Sequence, residues 1–275
     1  MKRCLVGSEM CIRDRTKEHK RYGEVGVLKD GKRIQINTSI IQIENEYYSS
    51  IRPKRVTPPG ERPLNILRAE GIDYVEIRAL DNNSFLPSGI DEDTSYFLEA
   101  YLIGCFFGED KKSSQDEIKE LLVNWENVVK EGRNPDLKIL KNKEKITVKD
   151  SGMKVIDYLR EVFEQMPSEM SGYVEKVMKS LNKQEEKLND SSLTPSGRIV
   201  SELQNNNKSW EELNLELAGE HSQSFKRIET DLNYLSKEAK SSLEKFNELG
   251  NHQEEEFDVY LCLLYTSDAA DDGIR

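Results

Sequence analysis

The hydrophobic period of this chain changes once, near residue 90, and that single change sets the class of fold open to it. Residues 22–80 alternate in polarity, the pattern of strands whose side chains turn to opposite faces at each step. From Asp91 to about residue 258 the apolar positions recur at helical spacing instead. No repeat of fixed length runs through either part. Strands followed by helices predict an α+β fold, an antiparallel sheet succeeded by a mainly helical region. The expected boundaries are 16–92 for the sheet part and 93–260 for the helical part.

Within the sheet part, Asp30-Gly31 is a hairpin-turn signal, followed by alternation through Arg33-Ile34-Gln35-Ile36-Asn37. Ile41 to Tyr48 alternates too, with Ile41, Ile43, Asn45 and Tyr47 on one face and Gln42, Glu44, Glu46 and Tyr48 on the other. Pro53, Pro58, Pro59, Gly60 and Pro63 then demand a loop. Ile72 to Leu80 reads as the third strand. In the helical part, Tyr96 to Phe107 is almost wholly apolar, which predicts a buried helix. Ser114 and Glu117 have capping-box spacing ahead of Ile118, Leu121, Leu122, Trp125, Val128 and Val129, and Gly132 ends that helix. A lysine-rich connector, Leu137 to Lys149, leads to helices over Met153 to Met166, 170–189, 195–204 and 210–248, with Asn205 to Asn207 as a break.

Composition removes several function classes. Acidic residues number 51 against 40 basic ones, a net charge of -11, so broad nucleic-acid backbone binding is not expected. The apolar stretch ending at Phe107 is too short to cross a bilayer and contains Glu99, so no membrane partner is expected. With 3 histidines and 4 cysteines there is no zinc-type cluster, and metal chemistry would rest on carboxylates. His19, His221 and His252 lie in polar contexts and read as surface residues.

Residues 1–15 and 261–275 continue neither period and resemble translated sequencing adapter. They are read as non-native or disordered and without function, which makes the chain a fragment whose true start lies upstream. They hold Cys4, Cys11 and Cys262. Cys105, in an apolar helical stretch, reads as a buried reduced thiol, consistent with a cytoplasmic protein.

The strand over 72–80 carries the most chemistry. Residues at i and i+2 share a face about 6.5–7 Å apart, so Glu76 and Arg78 point the same way while Val75, Ile77 and Ala79 turn to the other. Such a pair suits a cleft in which the glutamate holds a divalent cation and the arginine meets a phosphate oxygen. An ordinary salt bridge on a solvated sheet face has the same spacing. Arg52, Lys54 and Arg55 form a compact positive cluster that fits a nucleotide-phosphate site, or equally a solvated loop neutralising the preceding glutamates. No nucleophile elbow, phosphate-binding loop or dinucleotide fingerprint is present.

Gly31-Lys32-Arg33-Ile34-Gln35-Ile36-Asn37, Gln42-Ile43-Glu44-Asn45-Glu46, Ile51-Arg52-Pro53-Lys54-Arg55-Val56-Thr57 and Tyr74-Val75-Glu76-Ile77-Arg78 with Leu80-Asp81 occur in that order. Together they closely resemble bacterial glutamate–cysteine ligase of the proteobacterial type, the gamma-glutamylcysteine synthetase of glutathione synthesis. The resemblance is strong from Lys29 to Pro87. It is weaker through Asn124-Trp125, Glu131-Gly132-Arg133 and Pro135-Asp136-Leu137. It places the chain in the later, C-terminal part of such an enzyme. It implies a sheet similar to that of glutamine synthetase, with ATP and Mg2+ as cofactors and L-glutamate and L-cysteine as substrates. By position, Glu76 is similar to the family's metal-binding glutamate, Arg78 to its phosphate-contacting catalytic arginine, and Tyr48 to a tyrosine lining the cysteine subsite. Glu44 and Glu46 belong to a shared motif, as strand support or as ligands. The family's other metal carboxylates and its glutamate-binding arginine lie in the earlier part, so the fragment is expected to be inactive alone. Two alternatives remain: a ligase using another amine, and a non-catalytic protein whose long charged helices bind a partner.

Overall fold

Two small hydrogen-bonded ribbons and two short helices make up the first part of the chain, and helices dominate the rest. The computed structural model describes residues 17–43, 46–58, 61–108, 113–226, 231–250 and 257–261. Residues 1–15 and 262–275, set aside above, lie outside the described residues, as do Glu44, Asn45 and His252. The described residues divide into two units, 17–80 with 231–261, and 81–226.

In the first unit, α1 (Lys20–Val25) leads into a hairpin of β1 (Leu28–Lys29) and β2 (Lys32–Arg33). Its turn is the expected Asp30-Gly31 step, with φ of 51° and 74°, the left-handed pair that a primed turn requires. Strand β3 (Ile51–Lys54) and strand β4 (Tyr74–Ile77) pair antiparallel, connected through helix α2 (Pro63–Glu70). Helix α9 (Leu232–Gly250) and a helical turn over 257–261, where Leu261 is buried, complete this unit.

Beyond Arg33, which pairs with Leu28, the expected strands over 33–37 and 41–48 do not form as ladders among the described residues. Gln42 takes the edge bonds instead: its Oε1 accepts from the backbone N–H of Ile36 (2.6 Å) and Asn37 (3.1 Å). The side chain of Asn37 donates to the Gln42 carbonyl at 2.8 Å, and Glu46 Oε2 accepts from Gln42 N at 2.8 Å. Side-chain to backbone bonding of this kind competes directly with sheet pairing. The alternation still decides burial, because Ile41 and Tyr47 are buried against Leu64 of α2 while Glu46 and Tyr48 face solvent.

In the second unit, α3 (Glu92–Phe107) is capped by Asp91, whose carboxylate accepts from Thr94 N at 2.8 Å. Helix α4 (Gln115–Glu131) opens on the expected Ser114/Glu117 capping box. The lysine-rich connector is a hairpin, β5 (Lys138–Lys141) and β6 (Glu144–Thr147), turned through Asn142 and Lys143 at φ of 54° and 68°. Helices α5 (Val148–Glu164), α6 (Ser171–Asn189), α7 (Pro195–Asn206) and α8 (Trp210–Lys226) follow. Asn207, last of the asparagine run, ends α7 in the left-handed conformation.

The core of this unit is Ala100, Ile156, Leu159, Phe163, Val177 and Leu181, where α3, α5 and α6 meet. Gly104 lets α3 approach closely, since a Cβ there would stand 2.3 Å from Leu159 Cδ2. The expectation of a buried α3 holds on that side only, because Phe106 is 71% exposed and Phe107 60%. Cys105 carries no disulfide and is half-buried. The loop before α3 packs with the helices of this unit: Ser84 O is 2.9 Å from His221 Nε2, and the Arg198 guanidinium lies 3.9 Å over the Phe85 ring. Among the described residues no helix is long and apolar enough to cross a membrane.

Candidate functional site

Register decides what the β3–β4 ribbon presents. Arg52 stands directly opposite Glu76, and Lys54 opposite Tyr74. Pleating therefore puts Arg52, Lys54, Tyr74 and Glu76 on one face and Ile51, Pro53, Val75 and Ile77 on the other. The ladder runs one bond further at each end, with Arg78 N donating to Ser50 O at 2.7 Å and Asp73 N to Lys54 O at 3.0 Å. Arg78 is thus held by its own backbone as a continuation of β4, two places from Glu76.

The two carboxylate oxygens of Glu76 have different surroundings. Oε1 accepts from Arg78 Nε at 2.8 Å. Oε2 is shielded from solvent, receives no hydrogen bond, and has Lys54 Nζ 3.4 Å away. The Arg78 hydrogen bond holds the Glu76 carboxyl below the usual carboxylate range, with Lys54 adding to the effect against desolvation. The same bond pushes the Arg78 guanidinium up from its ordinary value. That guanidinium also lies 5.3 Å from the ring centroid of Tyr48, a cation–π contact on a tyrosine that is itself 69% exposed. Glu76, Arg78, Tyr48 and Lys54 are therefore one cluster, with Arg52 on the same ribbon face.

The basic triplet splits by role. Arg52 is 8% exposed, and among the described residues its guanidinium has no hydrogen-bond or ion-pair partner. Lys54 leans on Glu76. Arg55 turns away: Nε reaches Glu70 Oε2 at 2.8 Å, and Nη1 meets Asp73 Oδ1 at 3.0 Å and the Glu70 carbonyl at 3.1 Å. Arg55 thus ties the end of α2 to the start of β4, and the acids it neutralises follow it in the chain rather than precede it. Glu46 faces the Gln42 backbone, and Glu44 lies outside the described residues. Spacing puts Glu76 beside Arg78 but gives no sign of Lys54, because only the cross-strand register brings that lysine to the carboxylate.

Among the described residues no three His, Cys, Asp or Glu side chains gather as a metal cluster. Glu76 Oε2, an anionic oxygen shielded and without a hydrogen bond, nonetheless has the chemistry of a single ligand to a hard divalent cation. Arginine donors beside it match phosphoryl oxygens.

Comparison with known proteins shows the family. Residues 11–128 match the glutamate-cysteine ligase family model, a match that begins inside the stretch set aside as foreign. The glutamate–cysteine ligase of Pseudomonas putida is 36% identical over 245 residues, covering 87% of this chain and 46% of that protein. The Pseudomonas aeruginosa PAO1 enzyme is 36% identical over 249 residues, covering 90% of this chain and 47% of its own. Among solved structures, a glutamate–cysteine ligase from Francisella tularensis in complex with AMP superposes with a TM-score of 0.80 at 32% identity, over 96% of this chain and 52% of that one. The chain spans about half the length of the curated relatives it matches.

Proposed function

Since this chain belongs to the glutamate–cysteine ligase family, we propose that it supplies the later part of an ATP-dependent carboxylate–amine ligase joining the side-chain carboxylate of L-glutamate to the amine of L-cysteine. The observation that supports this reading most is the divided environment of Glu76: one oxygen hydrogen-bonded to Arg78, the other shielded, without a hydrogen bond and faced only by the Lys54 ammonium at 3.4 Å. A partner-binding helical module has no use for that arrangement, and the comparisons do not favour it.

In the proposed reaction the glutamate side-chain carboxylate attacks the terminal phosphorus of ATP, giving an acyl phosphate and ADP. The cysteine amine then attacks the acyl carbon, phosphate leaves, and the amine gives up a proton as the amide forms. A bound Mg2+ would draw charge off the phosphoryl oxygens, and Glu76 is the residue here fitted to hold it. Arg78 has Nε engaged by Glu76, which fixes the plane of the guanidinium and leaves its terminal nitrogens for the transferring phosphoryl group. Tyr48 stacks on that guanidinium and lines the neighbouring subsite for the amine substrate. Arg52 and Lys54 lend positive charge to the nucleotide side of the same face, and Arg55 serves the frame. Such preorganised charge is the main catalytic resource in phosphoryl transfer, and it needs no histidine or cysteine nucleophile. We place the enzyme in the cytoplasm, where both amino acids and ATP are available.

A full-length ligase carrying these residues is expected to release ADP in a cysteine-dependent manner, matched one for one by gamma-glutamylcysteine on mass spectrometry. ADP release without the dipeptide would reject the reading. Equal turnover with another amine would move it to the wider carboxylate–amine ligase class.

A further inference from the structure

Within the helical unit, the turn after α4, the start of α5 and the end of α6 line a half-open cavity of about 610 Å3. That volume lies in the range of small-molecule sites. Phe97, Val155 and Leu188 give it an apolar floor. Arg133, Lys149 and Lys187 line it as well, three cations gathered in a chain of net charge -11.

These cations are largely uncommitted. Among the described residues the side chains of Arg133 and Lys149 have no hydrogen-bond or ion-pair partner. Lys187 Nζ reaches Gln184 Oε1 only at 3.5 Å, though it also acts through space on Asp91. The one carboxylate of the lining, Asp190, is occupied by Ser192 N at 2.9 Å.

The frame that presents Arg133 is built closely. Gly132 ends α4 with its N–H on Val128 O at 2.9 Å, and a Cβ at that position would stand 2.6 Å from the same oxygen. Asn124 clasps Leu140 from both sides, accepting from its N and donating to its O, each at 2.7 Å. Asn134 Oδ1 accepts from Asp136 N at 3.0 Å. The segment over 131–137, which belongs to the weaker resemblance and is not used by the ligase chemistry, therefore places an arginine in the cavity lining.

An apolar floor beneath unpaired cations is complementary to an anion with an apolar body. We propose that this cavity binds a small organic anion, a carboxylate or phosphate monoester on a hydrocarbon or aromatic frame. Arg133 supplies the forked donors, and Lys149 and Lys187 supply point charges. The lining shares no residue with the ligase cluster, so its test needs no turnover.

The full chain would be titrated with phenyl phosphate, phenylacetate and inorganic phosphate, each followed by saturation-transfer NMR. At least one aromatic probe is expected to saturate about tenfold tighter than inorganic phosphate. The Arg133→Ala/Lys149→Ala variant is expected to weaken it by about tenfold or more, the scale of a lost charged hydrogen bond. Its far-UV circular dichroism should not change, since both side chains are exposed. Should that variant lose helical signal, Lys187→Ala alone is expected to weaken the same probe. Neither aromatic probe binding better than inorganic phosphate, or affinity unmoved in a folded variant, would overturn the proposal.

Discussion

Replacing Arg78 by alanine in a full-length ligase carrying these residues should lower kcat by about 10²–10³-fold or more, the usual consequence of deleting one preorganised donor to developing oxygen charge. Arg78→Lys should recover little of it, because a lysine cannot hold Glu76 Oε1 and reach a phosphoryl group with one planar fork. Folding should survive both changes. Arg78 joins the ribbon through its backbone N–H to Ser50 O, a bond that alanine keeps, and its side chain is only partly buried. Steady-state kinetics beside a thermal melt would separate the two effects. A variant with kcat within about threefold of the parent would refute the role, because that is far below the loss expected of a transition-state contact. Arg55→Ala is the informative contrast, since its bonds to Glu70 and Asp73 support the fold rather than the cluster.

The largest effect on stability is expected at Phe163. It is 1% exposed, packs with Leu159, Val177 and Leu181, and has its ring centroid 6.0 Å from that of Tyr173. Truncation to alanine removes buried apolar surface and leaves a cavity where α3, α5 and α6 meet, at a cost of about 3–5 kcal/mol. Domains have only about 5–15 kcal/mol to lose, so the helical unit would become marginal. Urea unfolding followed by far-UV circular dichroism measures this directly. Phe106→Ala, on the exposed side of α3, should move the same curve by no more than about 0.5 kcal/mol. Equal effects of the two substitutions would mean that the core is misplaced.

What the amino-acid sequence discloses, and what it hides, follows from the range of each interaction. Ser114 with Glu117, Asp30-Gly31 and Asn207 act on bonds within four residues of themselves, and each forms the element expected of it. The shared face of Glu76 and Arg78 is equally local, because the pleat guarantees it once β4 is extended. Ladder formation is not local. Ile41 to Tyr48 has the alternation of a strand and buries Ile41 and Tyr47, yet Gln42 satisfies neighbouring backbone groups itself, so among the described residues no partner strand is recruited. The closeness of Lys54 to Glu76 depends on the pairing of β3 with β4, and α2 with its flanking loops separates those strands. The exposure of Phe106 has the same origin: Tyr96 to Phe107 is almost wholly apolar, whereas among the described residues the core packed on it comes from α5 and α6. The cavity beside Arg133 combines residues from α3 to the segment after α6, and no motif spans that distance.

The central claim concerns Glu76: its unbonded oxygen takes a divalent cation while the other is held by Arg78. Because that hydrogen bond depresses the carboxyl, the ionised, ligating form persists as pH falls below the ordinary carboxylate range, and is lost only on passing through the lowered value. Electron paramagnetic resonance of Mn2+ titrated onto the full-length ligase with ATP, in parental and Glu76→Gln forms, reads this out directly. The neutral amide keeps the shape of the side chain and removes its charge. The variant should bind one ion fewer, or the same ion about tenfold more weakly or worse, the scale on which coordination shells tune affinity. An unchanged number of bound ions at unchanged affinity would contradict the account.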